Sequence, residues 1–130
     1  MTEEDRKLLL KDLSARLLYG IICDDGYGNV LELNGIDKPN TATFKCFDKT
    51  FGTTDLDKCK PYLFPLSSMT KEQEKEFNQL LELELKAISD EIDHAQVTAF
   101  EIDFYNKHHF DWRGLIPLGL AEDATDLNIY

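Results

Sequence analysis

The chain has 130 residues, 42% of them hydrophobic and 30% charged, which is enough for one core and too apolar for intrinsic disorder. Its net charge of -11 is uneven: residues 1–69 carry 11 acids and 9 bases, residues 70–130 carry 14 acids and 5 bases. An acidic second half repels phosphate, which argues against direct nucleic-acid binding, and it suits solubility or a basic protein partner.

In chain order, residues 3–15 read as a helix, because Leu9, Leu10, Leu13 and Leu17 recur at three- and four-residue spacing. From Leu17 to Cys23 an apolar run with Ile21 and Ile22 reads as a strand. The segment Asp24-Asp25-Gly26-Tyr27-Gly28-Asn29 is a turn by composition, and Val30 to Leu33 resumes as a strand. Residues 21–33 are therefore expected to form a hairpin.

Gly35 and Pro39 make 34–40 a loop. Thr41 to Phe47 reads as a third strand with Ala42, Phe44 and Cys46 on one face, and Thr50 to Leu56 as a fourth, weakened by Gly52. Lys60 to Pro65 should be extended, since a proline disfavours helix in the residue before it.

Thr70 and Gln73 form a capping box, a reciprocal pair that satisfies amides at a helix start. Behind them Phe77, Leu81, Leu85, Ile88 and Ile92 make an apolar stripe about 80° wide, which predicts a helix over about 70–92. Within 97–107, Phe100, Ile102 and Phe104 alternate as in a strand, yet Val97, Phe100, Phe104 and His108 fit a helix. We read this segment as helix. Asp111 is placed to cap a short final turn, and 121–130 reads as a loosely attached tail.

No repeat or linker divides the chain. A strand-rich part (1–66) and a helical part (67–130) are expected to pack as one α+β domain. The expected sheet is small and antiparallel, with three to five strands, or a partly open barrel. The long helix would pack it, shorter C-terminal helices would complete the helical part, and the N-terminal helix would cover a sheet edge.

The odd count of three cysteines, Cys23, Cys46 and Cys59, fits free thiols in a reducing compartment. The opening Met1–Asp5 is acidic, unlike a signal peptide, and no run approaches the roughly 20 apolar residues that span a bilayer. A cytoplasmic protein without membrane association is expected.

The densest polar cluster is His108-His109-Phe110-Asp111-Trp112-Arg113. Imidazole and carboxylate can ligate metal or move protons, so His108, His109 and Asp111 are the catalytic candidates. Neighbours on a helix point about 100° apart, and no second ligand cluster stands at a recognisable spacing. No metal or other cofactor is therefore expected, and helix termination is the better account of the cluster. Trp112, Arg113 and Tyr62 are candidate binding residues. Gly26-Tyr27-Gly28 lacks the pattern of a phosphate loop, and Asp24, Asp25 and Asp48 lack the spacing of a calcium loop. Ser67 and Ser68 lie at a helix entry, and Glu76, Glu82 and Glu84 read as a solvated face that could dock a partner.

Three segments, DLSARLLYGIIC (12–23), KPYLFPLSSMT (60–70) and HHFDWRGLIPLGLA (108–121), stand in an order and wording that resemble a family of small uncharacterised proteins of gut bacteria, their prophages and mobile elements. The chain departs from that pattern at Leu18, where proline is frequent, at Phe64, where arginine is frequent, and at Trp112, where tyrosine is frequent. Phe64 would remove a cation from any shared anion site. The resemblance implies a phage-related accessory protein and brings no activity, cofactor or catalytic residue. The function expected is non-enzymatic protein interaction. A small hydrolase or metal-dependent enzyme built on His108, His109 and Asp111 is one alternative. An acidic nucleic-acid mimic that inhibits a host nuclease is another.

Overall fold

The computed structural model describes residues 1–37, 41–45, 51–87 and 94–130. Helix α1 (Glu3–Arg16) opens on a capping box in which Asp5 N donates to Thr2 Oγ1 at 3.1 Å and Thr2 N to Asp5 Oδ2 at 3.4 Å. The expected strand from Leu17 does not begin there. Leu17–Tyr19 forms a 3-10 turn, and Gly20 at φ 71° reverses the chain, a left-handed conformation that suits glycine. Strand β1 (Ile22–Asp24) follows.

The hairpin forms as expected, pairing β1 with β2 (Val30–Asp37) through Cys23↔Leu31, but β2 continues through 34–37, where a loop was expected, because those residues pair with the next strand. Its turn is held by Asp25, whose carboxylate accepts from Tyr27 N at 2.8 Å, Asn29 N at 3.1 Å and Asn29 Nδ2 at 2.8 Å. Strand β3 (Thr41–Lys45) buries Ala42 and Phe44 and exposes Lys45, the alternation expected. The remainder of that expected strand, Cys46 and Phe47, and the turn residue Asp48 lie outside the described residues. Strands β4 (Phe51–Asp55) and β5 (Lys60–Leu63) come next, joined by a 3-10 turn at Leu56–Lys58.

The sheet has six strands in the order β4-β3-β2-β1-β5-β6, where β6 is Glu122–Asp123. This corrects the expectation of three to five antiparallel strands or a partly open barrel. The sheet is open and mixed, because β6 adds parallel to β5 through Tyr62↔Glu122 and Leu63↔Asp123. The expectation of a loose tail is corrected by the same residues. Ala124 N donates to Leu63 O at 2.8 Å, and Ala121 and Ala124 are buried.

One buried cluster joins Leu9 and Leu13 of α1 to Cys23, Leu33, Ala42, Phe44 and Leu63 of the inner strands, and to Leu115, Leu120 and Ala121 beyond the helices. The strand-rich and helical parts thus share a core, at about 1.5–3 kcal/mol per large apolar side chain buried. The cluster takes in residues of β3, β2, β1 and β5 together with Leu9 and Leu13 of α1.

Helix α2 (Lys71–Ala87) starts where the capping box placed it: Gln73 N donates to Thr70 Oγ1 at 3.1 Å and Thr70 N to Gln73 Oε1 at 2.9 Å. The rest of the expected helix, with Ile88 and Ile92, falls outside the described residues. Helix α3 (His94–Lys107) resolves the ambiguous segment in favour of helix. It supplies the aromatic seat for α2, since the Phe77 ring stands 5.0–6.1 Å from those of Phe100, Phe104 and Tyr105. No described α2 residue enters the core cluster over the sheet. Among the described residues no helix is long and apolar enough to cross a membrane.

Candidate functional site

The three motif segments meet in one place. Beyond the C-terminus of α3, His109 adopts φ 62° and turns the chain back. Phe64 N then donates to His109 O at 2.8 Å and Asp111 N to Phe64 O at 2.8 Å, a parallel bridge that locks the middle segment to the last. The first segment joins from α1, where the Arg16 guanidinium donates to Phe110 O at 2.6 Å and to both Asp12 oxygens at 2.9 and 3.2 Å.

Asp12 and Arg16 are completely buried. Burial raises the Asp12 carboxyl pKa above its usual value, and the bidentate Arg16 guanidinium and then Arg113 offset only part of that rise. Arg113 Nε approaches Asp12 Oδ1 to 3.3 Å without hydrogen-bond alignment. Both charged residues stand within about 60° of Leu9 on the helical wheel. An aspartate and an arginine four apart at the edge of an apolar stripe were the sequence signal for this pair.

The catalytic candidates are brought together but committed to the architecture. Asp111 is buried, and its two oxygens accept Leu115 N at 2.7 Å and Ile116 N at 2.9 Å, so it ties down the segment beyond Arg113 and not the turn through Trp112 and Arg113 that it was expected to cap. His108 packs 4.5 Å from the Phe104 ring, with Nε2 3.9 Å from Glu76 Oε1. His109 stacks on Tyr130, and burial, then Arg16 and His108, lower its pKa to about 4. It is therefore neutral near pH 7, and its Nδ1 has no hydrogen-bond partner among the described residues. Among those residues no group of three or more His, Cys, Asp or Glu side chains could hold a metal ion.

The binding candidates are part of the same packing. Trp112 Nε1 donates to Asn106 Oδ1 at 2.8 Å, and Arg113 lies 4.1 Å over the Trp112 ring. Tyr62 is half-buried, its carbonyl accepting from Tyr130 OH at 2.8 Å. Burial also raises the phenol pKa of Tyr62. Ser68 Oγ donates to Pro65 O at 2.6 Å in the turn before α2. Cys23 and Cys59 are buried free thiols in contact with each other, and burial raises the Cys23 thiol well above its usual range. That is the opposite of an activated nucleophile.

Two small cavities flank this centre. One, of about 190 Å³, lies between Phe64, Phe110, Thr70, Gln73 and Asp126. The other, of about 160 Å³, lies between Tyr19, Leu80 of α2, and Phe100, Asp103, Phe104 and Lys107 of α3. Both are smaller than the roughly 300 Å³ at which pockets for small organic substrates begin.

Outside the packed centre the helix pair is acidic. Glu72, Glu74, Glu76 and Glu82 of α2 and Asp103 of α3 are exposed. The Glu84 side chain is outside the description. No family model, curated protein or solved structure matches the chain.

Proposed function

We propose that the chain is a non-enzymatic interaction protein whose acidic helical half engages a basic protein partner, as an accessory factor of phage or mobile-element origin. The observation that carries the interaction reading is the exposure of Glu72, Glu74, Glu76, Glu82 and Asp103 on α2 and α3. The phage-related origin rests on the wording of the three motif segments alone. Acid–base chemistry at His108, His109 and Asp111 has less support, because both Asp111 oxygens are bound by backbone amides and His109 is stacked.

Such an interface gains association rate and partner choice from its charge, so binding should weaken steeply with salt. The test is affinity capture from host lysate at low and at high salt. The intact chain is compared with a variant carrying Glu72→Gln, Glu74→Gln, Glu76→Gln and Glu82→Gln. Recovery of a basic protein at low salt by the intact chain only supports the reading. Identical recovery by both proteins, or none by either, overturns it. A recovered nuclease that DNA displaces would redirect it to nucleic-acid mimicry.

A further inference from the structure

We infer that the 160 Å³ hollow between α2, α3 and Tyr19 is an anchor pit for one large apolar side chain presented by a basic amphipathic helix of the partner. This inference rests on the interaction reading above and specifies its partner.

The size of the hollow separates a single anchoring side chain from a free small-molecule substrate, which takes roughly 300 Å³ or more. Its walls are mainly apolar, with the Leu80 side chain on one helix and Phe100 and Phe104 on the other. Two of the most exposed large apolar residues neighbour its lining residues in sequence: Leu18, 92% exposed, precedes Tyr19, and Leu83, 62% exposed, is one helical turn beyond Leu80. Isolated exposed leucines are ordinary, but an exposed leucine one turn along the same helix from a wall residue extends the apolar surface available to a partner. An anchor in a pit with a surrounding ring is how most interfaces concentrate their affinity.

Charge selects the occupant. On the wheel of α2, Glu72 and Glu76 share the flank of Leu80 and Leu83, whereas Lys71 and Lys75 fall on the far side. From α3, Asp103 lines the hollow, and Lys107 is the base in its wall. An apolar ridge edged by lysine or arginine matches this pattern, and helix-in-groove docking provides it with anchors one turn apart. A second copy of this chain would bring the same acids to the contact and is disfavoured by repulsion.

The probe is a synthetic 18-residue helical peptide of leucine and lysine with one apolar face. It is compared with a scrambled peptide of the same composition, by fluorescence anisotropy at low salt on the full chain. The inference expects the helical peptide to bind at least tenfold tighter than the scrambled one. Leu18→Ser with Leu83→Ser, both exposed and so compatible with folding, should weaken it about tenfold, and Lys107→Gln should strengthen it. Equal binding of both peptides, unaffected by the leucine substitutions but lost in salt, overturns the pit and leaves the acidic-surface reading standing. No binding of either peptide at low salt overturns both. Self-association abolished by Leu83→Ser assigns the face to a second copy and overturns the partner helix.

Discussion

The rings of His109 and Tyr130 lie one on the other, 3.7 Å between centroids and 12° between planes. The contact ties the last residues of the chain to the turn after α3. The Tyr130 hydroxyl adds two further ties, accepting from Ile22 N at 2.9 Å and donating to Tyr62 O at 2.8 Å. A residue 43% exposed as a whole thus has its hydroxyl held between β1 and β5, and burial raises its phenol pKa.

Tyr130→Phe should cost about 1–2 kcal/mol, because the Ile22 amide loses its acceptor. Tyr130→Ala should cost about 2–3 kcal/mol, since the stacking and packing go as well. Urea unfolding measures both, and amide exchange should quicken at Ile22 and Ala124 in the alanine variant.

The neutral imidazole of His109 makes stability depend on acidity. Its pKa is lowered to about 4 in the fold against roughly 6.5 in an unfolded chain. The unfolded chain therefore takes up the proton first. The contribution of His109 is complete above about pH 6.5 and is lost as the pH falls towards 4. Allowing for its partial exposure, the loss should be about 1–2 kcal/mol. Asn tolerates positive φ, so His109→Asn should fold and flatten the stability curve between pH 6.5 and 4. Asp57, held below the usual carboxylate range chiefly by its hydrogen bond from Arg6, loses its contribution only at lower pH. Denaturant midpoints taken at several pH values separate the two windows.

Arg16→Leu should destabilise by about 3–5 kcal/mol, because Asp12 is left buried with only the misaligned Arg113 beside it. Asp12→Leu combined with Arg16→Met should be milder than Arg16→Leu alone, since no charge of that pair then remains uncompensated. A double-mutant cycle in urea reads the difference. Equal losses in both variants would show that the pair acts through shape and not charge.

Phe77→Ala should cost about 2–3 kcal/mol by emptying the aromatic seat that Phe100, Phe104 and Tyr105 make for α2. Since no described α2 residue enters the core cluster over the sheet, the loss should be local. Hydrogen exchange should rise along α2 and α3 with the centre of the sheet still protected.

Local chemistry made several parts of this fold legible. The capping box at Thr70 and Gln73, the Asp25-centred turn, and the Ala42 and Phe44 face each depend on neighbours a few residues away. Leu17–Tyr19 misled because its apolar run fits a strand, and the decision fell to Gly20, whose left-handed φ ends the turn. Glu122–Asp123 and Tyr130 were not readable, because a two-residue strand has no period and its partner β5 lies some 60 positions earlier. At the candidate site, the cluster at 108–113 was visible as a cluster. That Asp111 serves amides and Trp112 serves Asn106 is fixed by tertiary placement. Asp12 and Arg16 are a buried partnership with a sequence mark, two opposite charges four apart at the edge of an apolar stripe.

The bond from Arg16 to the carbonyl of Phe110 spans 94 positions, and this has a meaning for synthesis on the ribosome. At roughly 5–20 residues per second, the helix that carries Arg16 waits about 5–20 s for its acceptor to be made. The strands that share a core with its leucines end at Leu63, so for about the first half of that interval the leucine stripe has no complete partner surface, and apolar area stays open on the nascent chain.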